Sequence, residues 1–144
     1  MSDVIKVYFT GVDEPPKYAT SGSAGSDLCS SIDVEIRSHE TVLIPTGLHI
    51  QLPDGYEAQV RSRSGLALKY GLMVLNSPGT VDNDFRGEIG VIMHNVSDTP
   101  YHFHKGDRIA QLVVTPVTRC VFEKADELSQ TNRGSGGYGS TGAR

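Results

Sequence analysis

The chain has 144 residues, with 13 Lys and Arg against 17 Asp and Glu, for a formal net charge of -4. That balance excludes a nucleic-acid groove, which draws its affinity from surplus cations, and the length suits a single domain. No apolar run approaches the roughly 20 residues needed to cross a bilayer. Cys29 and Cys120 sit far apart, and Met1-Ser2-Asp3-Val4 lacks the charged-then-apolar pattern of a secretory leader. The expectation is a cytoplasmic protein with two buried thiols and no membrane contact.

In chain order, Val4 to Phe9 reads as a short strand, ended by Gly11 and the Pro15-Pro16 pair. Ser21 to Leu28 is a run of small residues that lets the backbone approach something closely, and Asp27 is its one acid. Ile32, Val34 and Ile36 alternate with polar residues, as do Leu48, Ile50 and Leu52, so both stretches predict half-buried strands. Tyr56 to Val60 continues the pattern after a Pro53-Asp54-Gly55 turn. Arg61-Ser62-Arg63-Ser64-Gly65 breaks it, and Leu66 to Lys69 predicts a short helix whose Ser-Gly start leaves backbone N–H groups free for an anion.

Two apolar runs, Leu72 to Leu75 and Val91 to Met93, flank the turn-rich stretch Asn76 to Gly90 and predict a hairpin. Asp82, Asp84, Arg86 and Glu88 would share one face if that stretch were fully extended. Such crowding suits either a solvated hairpin or one wrapped around a cation or a phosphate. Val91 to Asn95, Tyr101 to His104 and Arg108 to Val117 follow as strands, which makes the chain an all-β sandwich or barrel. In the last of these, alternation puts Arg108, Ala110 and Leu112 on one face and Ile109 and Gln111 on the other. Gln111 then either pairs with backbone or meets a ligand.

From Asp126 onward the composition turns Gly- and Ser-rich, so residues 1–125 read as the β domain and 126–144 as a flexible C-terminal arm. The arm lacks the Gly-Lys-Ser/Thr ending of a Walker loop. It is either a disordered tail or a strap over a nucleotide, with Arg133 for phosphate and Tyr138 to stack on a base. Arg63-Ser64-Gly65 offers a guanidinium, a hydroxyl and a close-approach glycine, a set able to hold phosphate oxygens. No histidine stands in a triad setting: His94, His102 and His104 fall on strands, and His39 and His49 lie far from any motif, so all five read as surface or packing residues. The cysteines lack zinc spacing, whereas scattered acids plus phosphate suit Mg²⁺.

Five segments taken together, 24–28, 63–67, 79–87, 106–112 and 133–142, resemble the five motifs of the trimeric dUTP pyrophosphatases (dUTPases), spread over nearly the whole chain. The resemblance implies a jelly-roll-like β fold with one short helix, a homotrimer with active sites at subunit interfaces, and Mg²⁺-assisted hydrolysis of dUTP to dUMP and pyrophosphate. That reaction limits uracil in DNA and supplies dUMP for dTMP synthesis. Carried over residue by residue, it implies that Asp82 activates the water that attacks the α-phosphorus, with burial available to tune the carboxylate. It gives Arg63, Ser64, Gly65 and Gln111 the phosphates, Gln111 from another subunit, and Asp27 the metal, through water.

The same resemblance gives the substrate's base and sugar to Asn76, Gly79, Thr80, Val81, Asp82, Phe85 and Gly90. Phe85 would pack on deoxyribose. Arg133, Ser135, Gly136, Gly137, Tyr138, Ser140 and Thr141 would close over the ligand, with Tyr138 on uracil. Phe85 is more often Tyr in the family and Tyr138 more often Phe, changes that keep the ring. Ser62 stands where Pro is common, a difference expected to loosen the approach to the phosphate loop. The related fold of the dCTP deaminases is the rival, and it uses a catalytic Glu with different neighbours.

Overall fold

Alternating apolar side chains give the sequence a series of short antiparallel strands. The computed structural model describes residues 4–143; Met1, Ser2 and Asp3, on which the leader reading rests, and Arg144 lie outside the described residues. Eleven strands and one helix occur among the described residues: β1 Tyr8–Thr10, β2 Ser26–Cys29, β3 Val34–Ile36, β4 Thr41–Pro45, β5 His49–Gln51, β6 Tyr56–Arg61, α1 Ser64–Tyr70, β7 Leu72–Val74, β8 Gly79–Val81, β9 Gly90–Asn95, β10 Tyr101–Phe103 and β11 Arg108–Pro116. β2-β11-β6-β8 form a four-stranded sheet and β4-β9-β7 a three-stranded one, with the pairs β1-β5 and β10-β3 beside them. This is the expected all-β jelly-roll fold with a single short helix.

The inward positions close the core. Leu28, Ile36, Ile44, Leu72, Val74, Val91, Met93, Phe103 and Ile109 are each under 2% exposed, and burial of side chains this size stabilises by roughly 1.5–3 kcal/mol apiece. Asn95 sits among them because its amide is fully satisfied. Nδ2 donates to Ile36 O (3.1 Å) and Thr99 O (2.9 Å), while Oδ1 accepts from the Ser97 N–H (2.9 Å) and hydroxyl (2.7 Å). Among the described residues, no helix is long and apolar enough to cross a membrane.

Several expectations need correction. The first strand covers only Tyr8–Thr10, because β5 offers it three partners, His49 to Gln51. The run Ser26–Cys29, read as small-residue backbone, is a strand because β11 pairs with it, and Thr41–Pro45 is a strand beside β9. The flanking runs of the hairpin do pair, Leu72 with Asn95 and Val74 with Met93. The stretch between them, however, contains a further strand, β8, which joins β6 in the other sheet. Beyond β8 the backbone turns, with Phe85 N–H on Asp82 O (3.2 Å), so Asp82, Asp84, Arg86 and Glu88 do not line up on one extended face. In β11 a register shift between Arg108 and Ala110 breaks the alternation, so Ile109 and Ala110 are buried in succession. Cys29 is half-buried and Cys120 is exposed, because residues 117–135, beyond β11, all lie at the surface.

Candidate functional site

The hairpin stretch builds a cleft. β8 is fixed to β6 with Val60 opposite Gly79 and Ala58 opposite Val81, while β9 starts at Gly90 opposite Pro45 of β4. The chain from Asp82 to Ile89 therefore bridges the two larger sheets. Under it lies a cavity of about 460 Å³ lined by Asn76, Thr80, Asp82, Phe85 and Gly90, a volume in the range of small-ligand sites. Gly79 and Val81 line it as well, so seven of the residues assigned to the substrate come together here.

Local packing shapes each of them. A Cβ on Gly79 would stand 3.2 Å from Asn76 Nδ2, so glycine lets the Asn76 amide lie against the strand. A Cβ on Gly87 would stand 2.5 Å from Phe85 Cζ, which means that the Phe85 ring rests over Gly87. Asp82 is exposed at the cleft mouth in the single chain. Asp82 has open access to water there.

A second group gathers where β6 ends and α1 begins. Arg63 takes the N-cap position with extended backbone (φ -91, ψ 128) and makes no side-chain cap, which leaves the Ser64 and Gly65 N–H groups at an uncapped helix start. Gln111 Nε2 donates to Ser62 O (2.9 Å), and Arg63 Nη1 donates to Arg108 O (3.3 Å). Gln111 thus pairs with backbone, one of its two expected roles, and its bond is made at the loop carrying Arg63, Ser64 and Gly65. A Cβ on Gly25 would collide with Gln111 Oε1, so Gly25 shapes this group too. Ser62 does not loosen the segment. Its hydroxyl oxygen accepts the Val74 N–H at 2.9 Å and ties β6 to β7, a bond proline could not make.

The sequence model described as dUTPase matches residues 14–142. The chain belongs to the dUTPase family. A deoxyuridine 5'-triphosphate nucleotidohydrolase of Hydrogenobaculum sp. is 57% identical over 130 residues, covering 90% of each chain. Among solved structures, the Staphylococcus bacteriophage 80alpha dUTPase with dUPNHPP is 25% identical, with a TM-score of 0.87 over 95% of this chain and 98% of its own. A mutant dUTPase from phage phi11 of S. aureus, in which a structural Mg(II) ion is coordinated, shares the fold at 21% identity, with a TM-score of 0.80 over 88% of this chain and 100% of its own.

In this dUTPase chain the remaining assigned residues stand apart from the cleft. Arg63, Ser64, Gly65, Gln111 and Asp27 do not line it, and neither do Arg133, Ser135, Gly136, Gly137, Tyr138, Ser140 and Thr141. Among the described residues, the arm's hydrogen bonds are internal to it. Arg133 Nε donates to Gly136 O (2.8 Å), tight turns follow at Gly137–Ser140 and Gly139–Gly142, and Tyr138 is fully exposed with φ 53. A single dUTPase chain therefore carries three separate groups.

Among the described residues, no three His, Cys, Asp or Glu side chains converge on one metal position. Asp27 stands as a lone carboxylate, 22% exposed, opposite Gln111 in the sheet and 3.8 Å from Arg108. A carboxylate near the Arg63-Ser64-Gly65 segment suits Mg²⁺, which keeps several waters and binds through few protein carboxylates. Burial, and after it the charge of Asp27, raises the pKa of the neighbouring Cys29 thiol, so this cysteine is a poor nucleophile.

Several lining residues escaped sequence reading. Leu43, Pro45, Val60, Ile89 and Ile92 form the apolar walls of the cleft, and only the pairing of β4 with β9 and of β6 with β8 reveals them. Leu43 is 65% exposed although its neighbour Ile44 is fully buried. His49, expected to be remote from every motif, places Nδ1 2.8 Å from Arg86 O. No local signal in the sequence marks that contact.

Proposed function

We propose that this chain hydrolyses dUTP to dUMP and pyrophosphate, which limits uracil in DNA and supplies dUMP for dTMP synthesis. The observation that carries this reading is the cleft under the Asn76 to Gly90 stretch, about 460 Å³, with Asp82 at its mouth and Phe85 on its wall. Uracil sits inside, read by the Asn76 amide and by backbone groups near Gly90. Wrong bases leave buried polar groups unpaired at about 1–3 kcal/mol each. The Phe85 ring packs on deoxyribose.

Asp82 orients a water and accepts its proton while the water oxygen bonds to the α-phosphorus and the bond from that phosphorus to the bridging oxygen breaks, releasing pyrophosphate. Arg63, with the Ser64 hydroxyl and the Gly65 N–H, holds the phosphates and stabilises charge growing at the bridging oxygen. Gln111 adds a phosphate contact. Asp27 would hold Mg²⁺ through a water, and the ion would supply positive charge against the triphosphate. The separation of cleft, phosphate loop and arm within one chain supports a homotrimer, in which copies complete one another's sites. The arm of residues 126–144 closes last, with Tyr138 over uracil and Arg133 on phosphate, and ligand binding offsets the cost of ordering it. Two unpaired thiols, one of them exposed, fit a reducing cytoplasm.

The test is pyrophosphate release from dUTP, dCTP, dTTP and UTP by the wild type and by Asp82→Asn. The expected result is strong preference for dUTP and loss of turnover in the variant with binding retained. Comparable turnover or deamination of dCTP, or an undiminished Asp82→Asn, would refute the proposal.

A further inference from the structure

The segment that carries Asp82 and Phe85 is held from outside by the turn between β4 and β5. Near the start of β9 three hydrogen bonds make the link. The Thr46 hydroxyl donates to Ile89 O (2.5 Å), Ile89 N–H donates to Leu48 O (2.8 Å), and Gly47 N–H donates to Glu88 Oε1 (2.8 Å). Residues 82–87 are different, because their other hydrogen bonds are internal: Phe85 N–H to Asp82 O, and Arg86 Nη1 to Asn83 O (2.6 Å) and Phe85 O (3.4 Å). Among the described residues, the contact between His49 Nδ1 and Arg86 O at 2.8 Å is the one hydrogen bond that fixes 82–87 to the rest of the fold.

A carbonyl oxygen only accepts, so His49 must carry its hydrogen on Nδ1. His49 does not line the cleft. It faces a shallow hollow on the outer side, with Tyr8, Phe9 and Arg86, and so cannot touch a ligand bound in the cleft. What it can do is set the position of the Arg86 peptide, and with it the neighbouring Phe85 ring, which rests over Gly87 two residues further on.

We propose that His49 is a positioning residue, which holds the Arg86 peptide so that the Phe85 ring stands where it separates deoxyribonucleotides from ribonucleotides. The proposal rests on the dUTP-hydrolysing reading above. Selectivity of this kind depends on holding the recognition group within about 0.5 Å, and one anchor on a six-residue loop decides whether that is met. His49→Asn keeps a donor near the Nδ1 position, because the Asn amide nitrogen sits at the same distance along the side chain. His49→Gln and His49→Ala do not.

The experiment measures kcat and KM for dUTP and UTP with the wild type and the three variants. For Ala and Gln, KM for dUTP should rise roughly five- to tenfold, the worth of one hydrogen bond, with kcat changed less. Their preference for dUTP over UTP should fall by a similar factor, and Asn should restore both. An unchanged preference in the Ala and Gln variants, or failure of Asn to restore it, overturns the proposal. Amide hydrogen exchange reads the anchor without turnover: residues 83–87 should exchange faster in the Ala and Gln variants than in the wild type or the Asn variant. Equal exchange in all four overturns it as well. Wild-type protein inert on dUTP would sink the hydrolase reading, while the exchange comparison still decides the anchor.

Discussion

Gly25→Ala probes the link between the first motif and the phosphate loop. Gly25 does not occupy the left-handed region, so the added methyl brings no backbone strain, only a collision with Gln111 Oε1 and close approaches of 3.1 Å to Gln111 Cβ and Cδ. The Gln111 amide must swing away, and its bond to Ser62 O, 2.9 Å long, is lost. One net hydrogen bond plus overpacking at a half-buried site amounts to about 1–3 kcal/mol of stability. If Gln111 also contacts a phosphate, the charge-assisted bond makes the loss in kcat/KM for dUTP larger, about 10- to 100-fold. Urea unfolding at fixed protein concentration and steady-state kinetics measure the two effects, and the Gln111→Ala background isolates their cause. In that background Gly25→Ala should cost less, because the colliding Oε1 and Cδ are gone and only the 3.1 Å approach to Cβ remains. A full cost that simply adds to that of Gln111→Ala would refute this coupling.

Other outcomes follow from the same structure. Asn95→Ala removes a buried amide whose Nδ2 serves the Ile36 and Thr99 carbonyls and whose Oδ1 serves the Ser97 N–H, leaving Thr99 O only the Ser97 hydroxyl, and should lower unfolding stability by roughly 2–5 kcal/mol by urea titration. The Cys29 thiol is held above its ordinary value of 9.0, so its share of stability is complete below that pH and is lost as pH rises through the folded value. Unfolding stability above about pH 9 should therefore fall less steeply in Cys29→Ser than in the wild type, and iodoacetamide at pH 8 should label the exposed Cys120 well before Cys29, as read by peptide mass spectrometry. Truncation before Arg133 should abolish dUTP turnover and leave the sedimentation-determined assembly state of the full chain unchanged, since among the described residues the hydrogen bonds from Arg133 onward stay within the arm.

Much of the scaffold was legible because it follows a local rule. Period-two burial in Tyr56–Arg61 and Gly90–Asn95 is visible residue by residue, and the helix expected at Leu66–Lys69 occupies Ser64–Tyr70. Gly71 stops it with a left-handed φ of 66, and its N–H reaches Ala67 O at 3.1 Å. What failed depends on a partner. Ser26–Cys29 and Gly79–Val81 lack strong strand composition and become strands because β11 and β6 offer edges to pair with. The bulge at Arg108 follows from the same pairing, and it defeats an alternation that looked regular in sequence.

The sequence alone determined the chemistry on offer: three carboxylates in a turn-rich stretch, an Arg-Ser-Gly segment, a Gly-rich arm and the side-chain patterns of an all-β core. These are properties of residue type and spacing, which survive without coordinates. Tertiary structure decided where each group stands. It gathered nine residues of the Asn76 to Gly90 stretch around one cleft, kept the Arg63-Ser64-Gly65 loop and the arm out of its lining, and brought Gly25 against Gln111 and His49 against Arg86. The physical reason is that each contact joins residues distant in the chain. Its existence depends on strand pairing and register, which alternation permits but does not specify.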